Sequence, residues 1–290
     1  MGARESSPNI NGTEEDRGAV AWGALEGASW RFIVEQYSSL ALTFESDRLM
    51  ALWGIADAQT QRGVYDGDEY LSGIGVWRSE VVNCLAWTAT QNGRYATVNQ
   101  CIEAPSWSWA AAQGAGVKFE KSYEWEEEPD MKVEMVGLWY EDHVRGEAVL
   151  TLRGHLDQRS LKAKRAKHPS GVEWRGERDE RTQFFFKFPQ KADWDGGFAF
   201  SHEGMVELDS PYEVPPDVIS LEDVEGLYSF KLCDVTTEKS VIHAYLILKR
   251  VGTDAKRFRR VGIMKIPARN VARYLGTEMT ENGISEIELL

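Results

Sequence analysis

Five histidines, three cysteines and forty-six carboxylates give this chain ample reactive groups, but few are spaced for a known reaction. His143, His155, His168, His202 and His243 stand far apart, without the short intervals that bring imidazoles onto one metal ion. Cys84, Cys101 and Cys233 form no C-x-x-C pair, which argues against a disulfide framework and for a reducing compartment. Serines are many, yet no G-x-S-x-G elbow marks one as a nucleophile, and no P-loop, G-x-G-x-x-G or H-E-x-x-H occurs. The richest carboxylate run is "EWEEEPD", Glu124 to Asp130. A glycosidase needs two acids facing each other about 5–10 Å apart; a contiguous run repels itself and stays solvated. Gly114, Ala115 and Gly116 read as a turn. The expectation is no catalytic residue, no cofactor and no metal.

Charge narrows the partners. The chain has 290 residues and a formal net charge of −13, so as a whole it repels nucleic acid and anionic lipid. Two basic segments, "QRSLKAKRAKH" and "KRFRR", run against that balance. Arg159, Lys162, Lys164, Arg165 and Lys167 have no interleaved aromatics on which bases could stack. Pairing with the acidic run is the expected use of these cations. No apolar run approaches the roughly 20 residues of a spanning helix. Residues 1–24 read as a polar, disordered leader; Gly2 with Ser6 (acylation) and Asn11-Gly12-Thr13 (glycosylation) are read as chance motif matches. No membrane, no nucleic acid and a cytoplasmic location are expected.

The elements that must position any site change character at Pro105. Residues 25–104 read as helical. Trp30, Ile33, Val34 and Tyr37 make one apolar stripe on a 3.6-residue period, and Leu49, Leu52, Trp53 and Ala56 make a second. Thr43 is the expected N-cap of that second helix, with Glu45 and Asp47 near its start and Gly63 at its stop. Trp77, Val81, Cys84 and Leu85 suggest a third helix. Residues 105–290 read as β-rich. The strand-like runs are "KVEMVGLWY", "EAVLTLRGHL", "TQFFFKF", "GGFAFS", "LYSFKLCDV", "SVIHAYLILKRV", "RFRRVGIMKI" and "SEIELL". Long connections near 162–181 and 210–225 are expected outside the sheet. The predicted class is α+β: a small N-terminal helical layer packed on a C-terminal antiparallel sandwich or barrel.

Between the two regions stands "PSWSWAAA". An extended backbone here would put Trp107 and Trp109 on one face and Ser106 and Ser108 on the other. Exposed, the indoles could stack sugars. Buried, each would remove about 200 Å² from water, worth several kcal/mol at about 25 cal/mol per Å². The second use is favoured because Trp30, Trp53 and Trp77 already lie on apolar stripes. Trp107 and Trp109 are therefore expected at the junction of helical layer and sheet. Ser106 and Ser108 would satisfy local backbone groups there, and Ala110 to Ala112 would allow close approach.

These stretches carry a family resemblance. "WRFIVEQYSSLALTFESDRLMALWGIADA", then "DEYLSGIGVWRSEVVNCLAW", then "APSWSWAAAQGAGV" resembles the region downstream of the effector domain in fungal heterokaryon-incompatibility (HET) proteins. The matching positions are Trp30, Val34, Tyr37, Ser38, Leu42, Thr43, Asp47, Arg48, Leu49, Gly54, Ile55, Ala56, Tyr70, Gly73, Trp77, Leu85, Trp87, Pro105, Ser106, Trp107, Ser108, Trp109 and Ala110. "LRGHL" and "AYLILKRVGTDAKRFRRVGIMKI" are similar to the family's β-rich tail. The resemblance implies a role in self/non-self recognition and cell death when unlike fungal cells fuse. In that family the HET domain lies upstream, with a fold related to Toll/interleukin-receptor domains, and none of its boxes occurs here. The implied protein is a non-enzymatic regulatory or interaction module lacking its effector, a truncated product or a free accessory chain. Its implied partner is a HET-type effector domain or another incompatibility protein. The alternative is a β-domain that binds carbohydrate or a small molecule.

Overall fold

The computed structural model describes residues 29–40, 47–90, 104–112, 116–120, 129–140, 148–157, 164–165, 183–185, 205–209, 221, 224–236, 241–269 and 284–290. Helix α1 (Trp30–Ser38) starts where the Ser29 hydroxyl accepts the Phe32 amide at 3.4 Å. Trp30, Ile33 and Val34 are buried and Tyr37 packs half-buried beside them, as the period predicts. Helix α2 (Arg48–Gln61) departs from expectation at its start. Its N-cap is Asp47, whose side chain makes no capping bond; Thr43, Glu45 and the family-motif Leu42 lie outside the described residues. Its buried face is Arg48, Leu52, Ala56 and Gln59, while Trp53 is 54% exposed. Two polar residues occupy the inward positions, so a stripe read from apolar residues alone is rotated by one place. The stop is as predicted. Gly63 takes a φ of 73°, its amide bonds Thr60 O at 2.9 Å, and the Val64 amide bonds Gln59 O at 3.1 Å.

The third helix is not formed. Strands β1 (Tyr70–Leu71) and β2 (Val76–Trp77) make a short hairpin, and 3₁₀ turns follow at Arg78–Glu80 and Asn83–Leu85. Strand β3 (Trp87–Thr90) then pairs antiparallel with β4 (Gly116–Phe119), so Gly116 belongs to a strand rather than to a turn. Trp77, Val81, Cys84 and Leu85 are all buried, as the helical reading required. Short turns bury them equally well, and a stretch opened by Gly75 and rich in β-branched Val76, Val81 and Val82 favours those over a continuous helix.

The remaining strands are β5 (Asp130–Met131), β6 (Glu134–Tyr140), β7 (Ala148–Asp157), β8 (Lys164–Arg165), β9 (Gln183–Phe185), β10 (Met205–Leu208), β11 (Leu227–Thr236), β12 (Val241–Arg250), β13 (Arg257–Pro267) and β14 (Ile284–Leu289). β7 pairs with β11, β11 with β12, β12 with β13, β13 with β14, and β14 returns to β7. That circuit closes a barrel in which only β13 and β14 run parallel. β6 joins β7, β5 joins β11, and β10, β9 and β8 extend from β13. Lys164 and Arg165 thus lie within a sheet rather than in a connection outside it. "GGFAFS" is outside the described residues.

Alternate barrel residues, among them Leu150, Leu152, Phe230, Leu246, Phe258, Ile287 and Leu289, share one continuous core with Trp30, Trp77, Trp87, Trp107 and Trp109. A second core of Val206, Leu208, Leu221, Leu227, Tyr245, Ile247, Val261, Met264 and Ile266 is separate from it. The architecture is α+β, helices first and a large, mainly antiparallel sheet after. No helix among the described residues is long and apolar enough to cross a membrane.

Candidate functional site

"PSWSW" folds as a turn, not as a strand. The Ser108 hydroxyl accepts the Ala110 amide at 3.1 Å and opens a 3₁₀ turn over Trp109–Ala111. The extended reading is thereby corrected, yet Trp107 and Trp109 are buried, 1% and 0% exposed. Both Trp109 Nε1 and Trp30 Nε1 donate to the Gly75 carbonyl, at 2.9 and 3.0 Å. Gly75 has a φ of 78°, and a Cβ there would lie 2.7 Å from Leu49 Cδ2 and 2.9 Å from Trp109 Cζ2. Trp87 Nε1 donates to Trp107 O at 3.0 Å, and Arg48 Nη1 to Ala112 O at 3.0 Å.

The two serines act mostly at long range rather than locally. Ser108 Oγ donates to Ile74 O at 2.8 Å. Ser106 binds Leu290 O through its amide, at 3.0 Å, and its hydroxyl, which also accepts the Arg260 amide at 2.9 Å. Ser38, on α1, accepts the Val117 amide of β4 at 2.9 Å. Gly73 N donates to Tyr140 Oη of β6 at 2.7 Å. Trp77 stacks on Tyr65 at 4.4 Å, and Trp30 meets Tyr70 edge-on at 5.2 Å. Burial, then the Glu80 charge, pushes the Tyr65 phenol up to about 12; burial also raises Tyr70. Of the remaining motif residues, Asp47 stands at the N-cap position of α2 without a side-chain cap, Pro105 precedes the turn, and Gly54 has open space where a side chain would stand.

Arg260 of β13 closes this seam from the barrel side. Its guanidinium is fully buried and bonds Leu85 O at 2.7 Å, Trp87 O at 2.5 Å and both oxygens of Asp209, at 2.9 and 3.1 Å. Burial pulls its pKa down and Asp209 opposes that pull. The pairing expected between the basic segments and the acidic run falls largely outside the described residues. Arg257 bonds Glu288 at 3.0 Å, Arg260 takes Asp209, and most of the run lies outside the described residues, as do Arg159, Lys162 and Lys167. Apart from the Arg260–Asp209 pair, the seam's side-chain donors are directed at main-chain oxygens, so its chemistry is that of joining helices to barrel.

A second polar group was missed in the sequence. Lys231 and Asp234 on β11 and His243 on β12 converge. Lys231 Nζ lies 2.5 Å from His243 Nδ1, and both nitrogens contact Asp234 Oδ1. In a regular strand, residues three apart face opposite ways. The register shift between Lys231 and Cys233 is a bulge that returns both side chains to one face. Lys132 Nζ stands 3.7 Å from Asp234 Oδ2 and is held by Asp130, whose hydrogen bond raises the Lys132 pKa. Burial lowers the Lys231 pKa against the pull of Asp234. For Asp234, burial works to raise the pKa, but hydrogen bonds from Lys231 and His243 outweigh it and hold the carboxyl low. His143, His168 and His202 lie outside the described residues, as does Cys101. Among the described residues no group of three or more His, Cys, Asp or Glu side chains is set to hold a metal, and Cys84 and Cys233 are buried and not disulfide-bonded.

No family model, no curated protein and no solved structure matches this chain.

Proposed function

We propose that this chain is a non-enzymatic interaction or regulatory module of the heterokaryon-incompatibility type, acting in the cytoplasm with a HET-type effector domain or another incompatibility protein. One observation carries the reading. The residues on which the resemblance rests, including Trp30, Gly73, Trp77, Trp87, Ser106, Trp107, Ser108 and Trp109, lie at the contact between helical layer and barrel. The indoles of Trp30, Trp87 and Trp109 and the hydroxyls of Ser106 and Ser108 act on backbone carbonyls and amides, which is the work of a scaffold. The carbohydrate alternative loses the two rings it depended on, because Trp107 and Trp109 have no open face to offer a sugar.

The test pairs the purified full chain with purified HET-type effector domains encoded in the same genome. Saturable binding to one of them, and a growth arrest on co-expression that neither protein causes alone, is the expected result. Absence of binding across the whole set would remove the reading.

A further inference from the structure

The Lys231 cluster joins a nucleophile, a base and an acid in one place. Its amine nitrogen, the His243 Nδ1 and the Asp234 Oδ1 touch one another, so the imidazole nitrogen that can accept a proton from the amine can, once protonated, donate to the carboxylate. An ammonium and an imidazolium in such contact repel each other. Lys132, close to the same carboxylate, adds a positive charge that disfavours the ammonium further. Desolvation acts in the same direction: the Lys231 side chain is 10% exposed and its nitrogen sits 5.0 Å from the centre of the Tyr245 ring. Asp234 and His243, at 19% and 21%, keep part of the cluster in contact with solvent.

We propose that Lys231 is a nucleophilic amine that captures a small aldehyde or ketone as an imine, with His243 as its base. The ammonium passes one proton to His243 Nδ1, and Asp234 balances the imidazolium. The freed lone pair of Nζ forms the C–N bond as the carbonyl π pair moves to oxygen. That oxygen takes the proton back from His243, leaving a carbinolamine whose nitrogen is cationic and carries two hydrogens, and one of these passes in turn to His243. As the nitrogen lone pair forms the C=N bond, hydroxide departs with the His243 proton as water. The sum is ammonium plus carbonyl to protonated imine plus water, with no oxidant or reductant. This site stands independently of the interaction reading.

The full chain is treated at neutral pH with propionaldehyde and cyanoborohydride, which reduces any imine to a stable secondary amine, and labelled lysines are ranked by peptide mass mapping. Lys118 and Lys256, both exposed, are the internal references. Lys231 is expected to label several-fold faster than either, because burial leaves more of it as free amine. His243→Gln, with an unchanged circular dichroism spectrum, is expected to abolish that advantage. The proposal is overturned if Lys231 labels no faster than the references, or if folded His243→Gln keeps the advantage. Should that variant not fold, the ranking in the unaltered chain decides alone.

Discussion

The guanidinium carbon of Arg260 lies 3.6 Å from the centre of the Trp87 ring, and its Nη2 donates to the carbonyl oxygen of that same residue at 2.5 Å. One side chain from β13 therefore grips both the face and the backbone of β3. Cation–π attraction is strongest where water is excluded, and this guanidinium is excluded from it altogether. The planar fork of arginine suits two carbonyls and a bidentate carboxylate together; lysine could not replace it.

Asp209 is the counter-charge that makes this burial tolerable. Its side chain is only 13% exposed. Asp209→Asn keeps the shape but strands the guanidinium in a dry site, and breaking one side of a buried pair costs about 3–5 kcal/mol. Urea unfolding should show a loss of that order. A loss below about 1 kcal/mol, the range of surface pairs, would mean that the seam does not depend on the ion pair.

Trp30 and Trp109 share one acceptor, the Gly75 carbonyl. Trp30→Phe or Trp109→Phe alone leaves that oxygen bonded to the other indole. Together they orphan a buried carbonyl, a further penalty of about 1–3 kcal/mol. A double-mutant cycle should therefore return a combined loss larger than the sum of the single losses. Additive losses would show that the two bonds are energetically separate.

Much of this was legible in the chain. β6, β7 and β11 to β14 follow directly from β-branched and aromatic runs, and the α1 stripe from its period. The seam was legible only as burial: tryptophans beside alanines on the path from helices to strands. Its wiring was not, because the bonds join distant positions; Ser106 and Leu290 are 184 apart and Arg260 and Leu85 are 175 apart. Periodicity reports which side of an element faces inward, never which carbonyl it meets. The Lys231–Asp234 pairing was hidden for a different reason. A single bulge inverts the face of every later residue on β11, and nothing in "LYSFKLCDV" announces it.

Gly54 and Gly75 both belong to the stretches that carry the family resemblance, yet their surroundings differ. Gly75→Ala forces an L side chain into positive φ and against Leu49 and Trp109, a loss expected to reach about 3 kcal/mol. Gly54 lies inside α2 with nothing within 4 Å of a Cβ. Gly54→Ala should stabilise by about 0.5–1 kcal/mol through helix propensity. Thermal melts of the two variants should move in opposite directions. A destabilised Gly54→Ala would point to a requirement that the packing does not contain.

Alkaline pH should weaken the fold through Cys233. Burial, then the charge of Glu120, pushes its thiol up to about 12 from 9.0. A folded pKa above the unfolded one gives stability that is whole below about pH 9 and is lost as pH rises toward about 12, where the unfolded thiol has released its proton and the folded one has not. The slope from this group alone is about 1.4 kcal/mol per pH unit. Tyr65, raised from 10.0 to about 12, adds to the loss over the upper part of the same window. Cys233→Ala gives up packing at every pH but removes the thiol's share of the slope. Its unfolding free energy should thus fall less steeply across that window than that of the unaltered chain, and equal slopes would exclude the thiol as the cause.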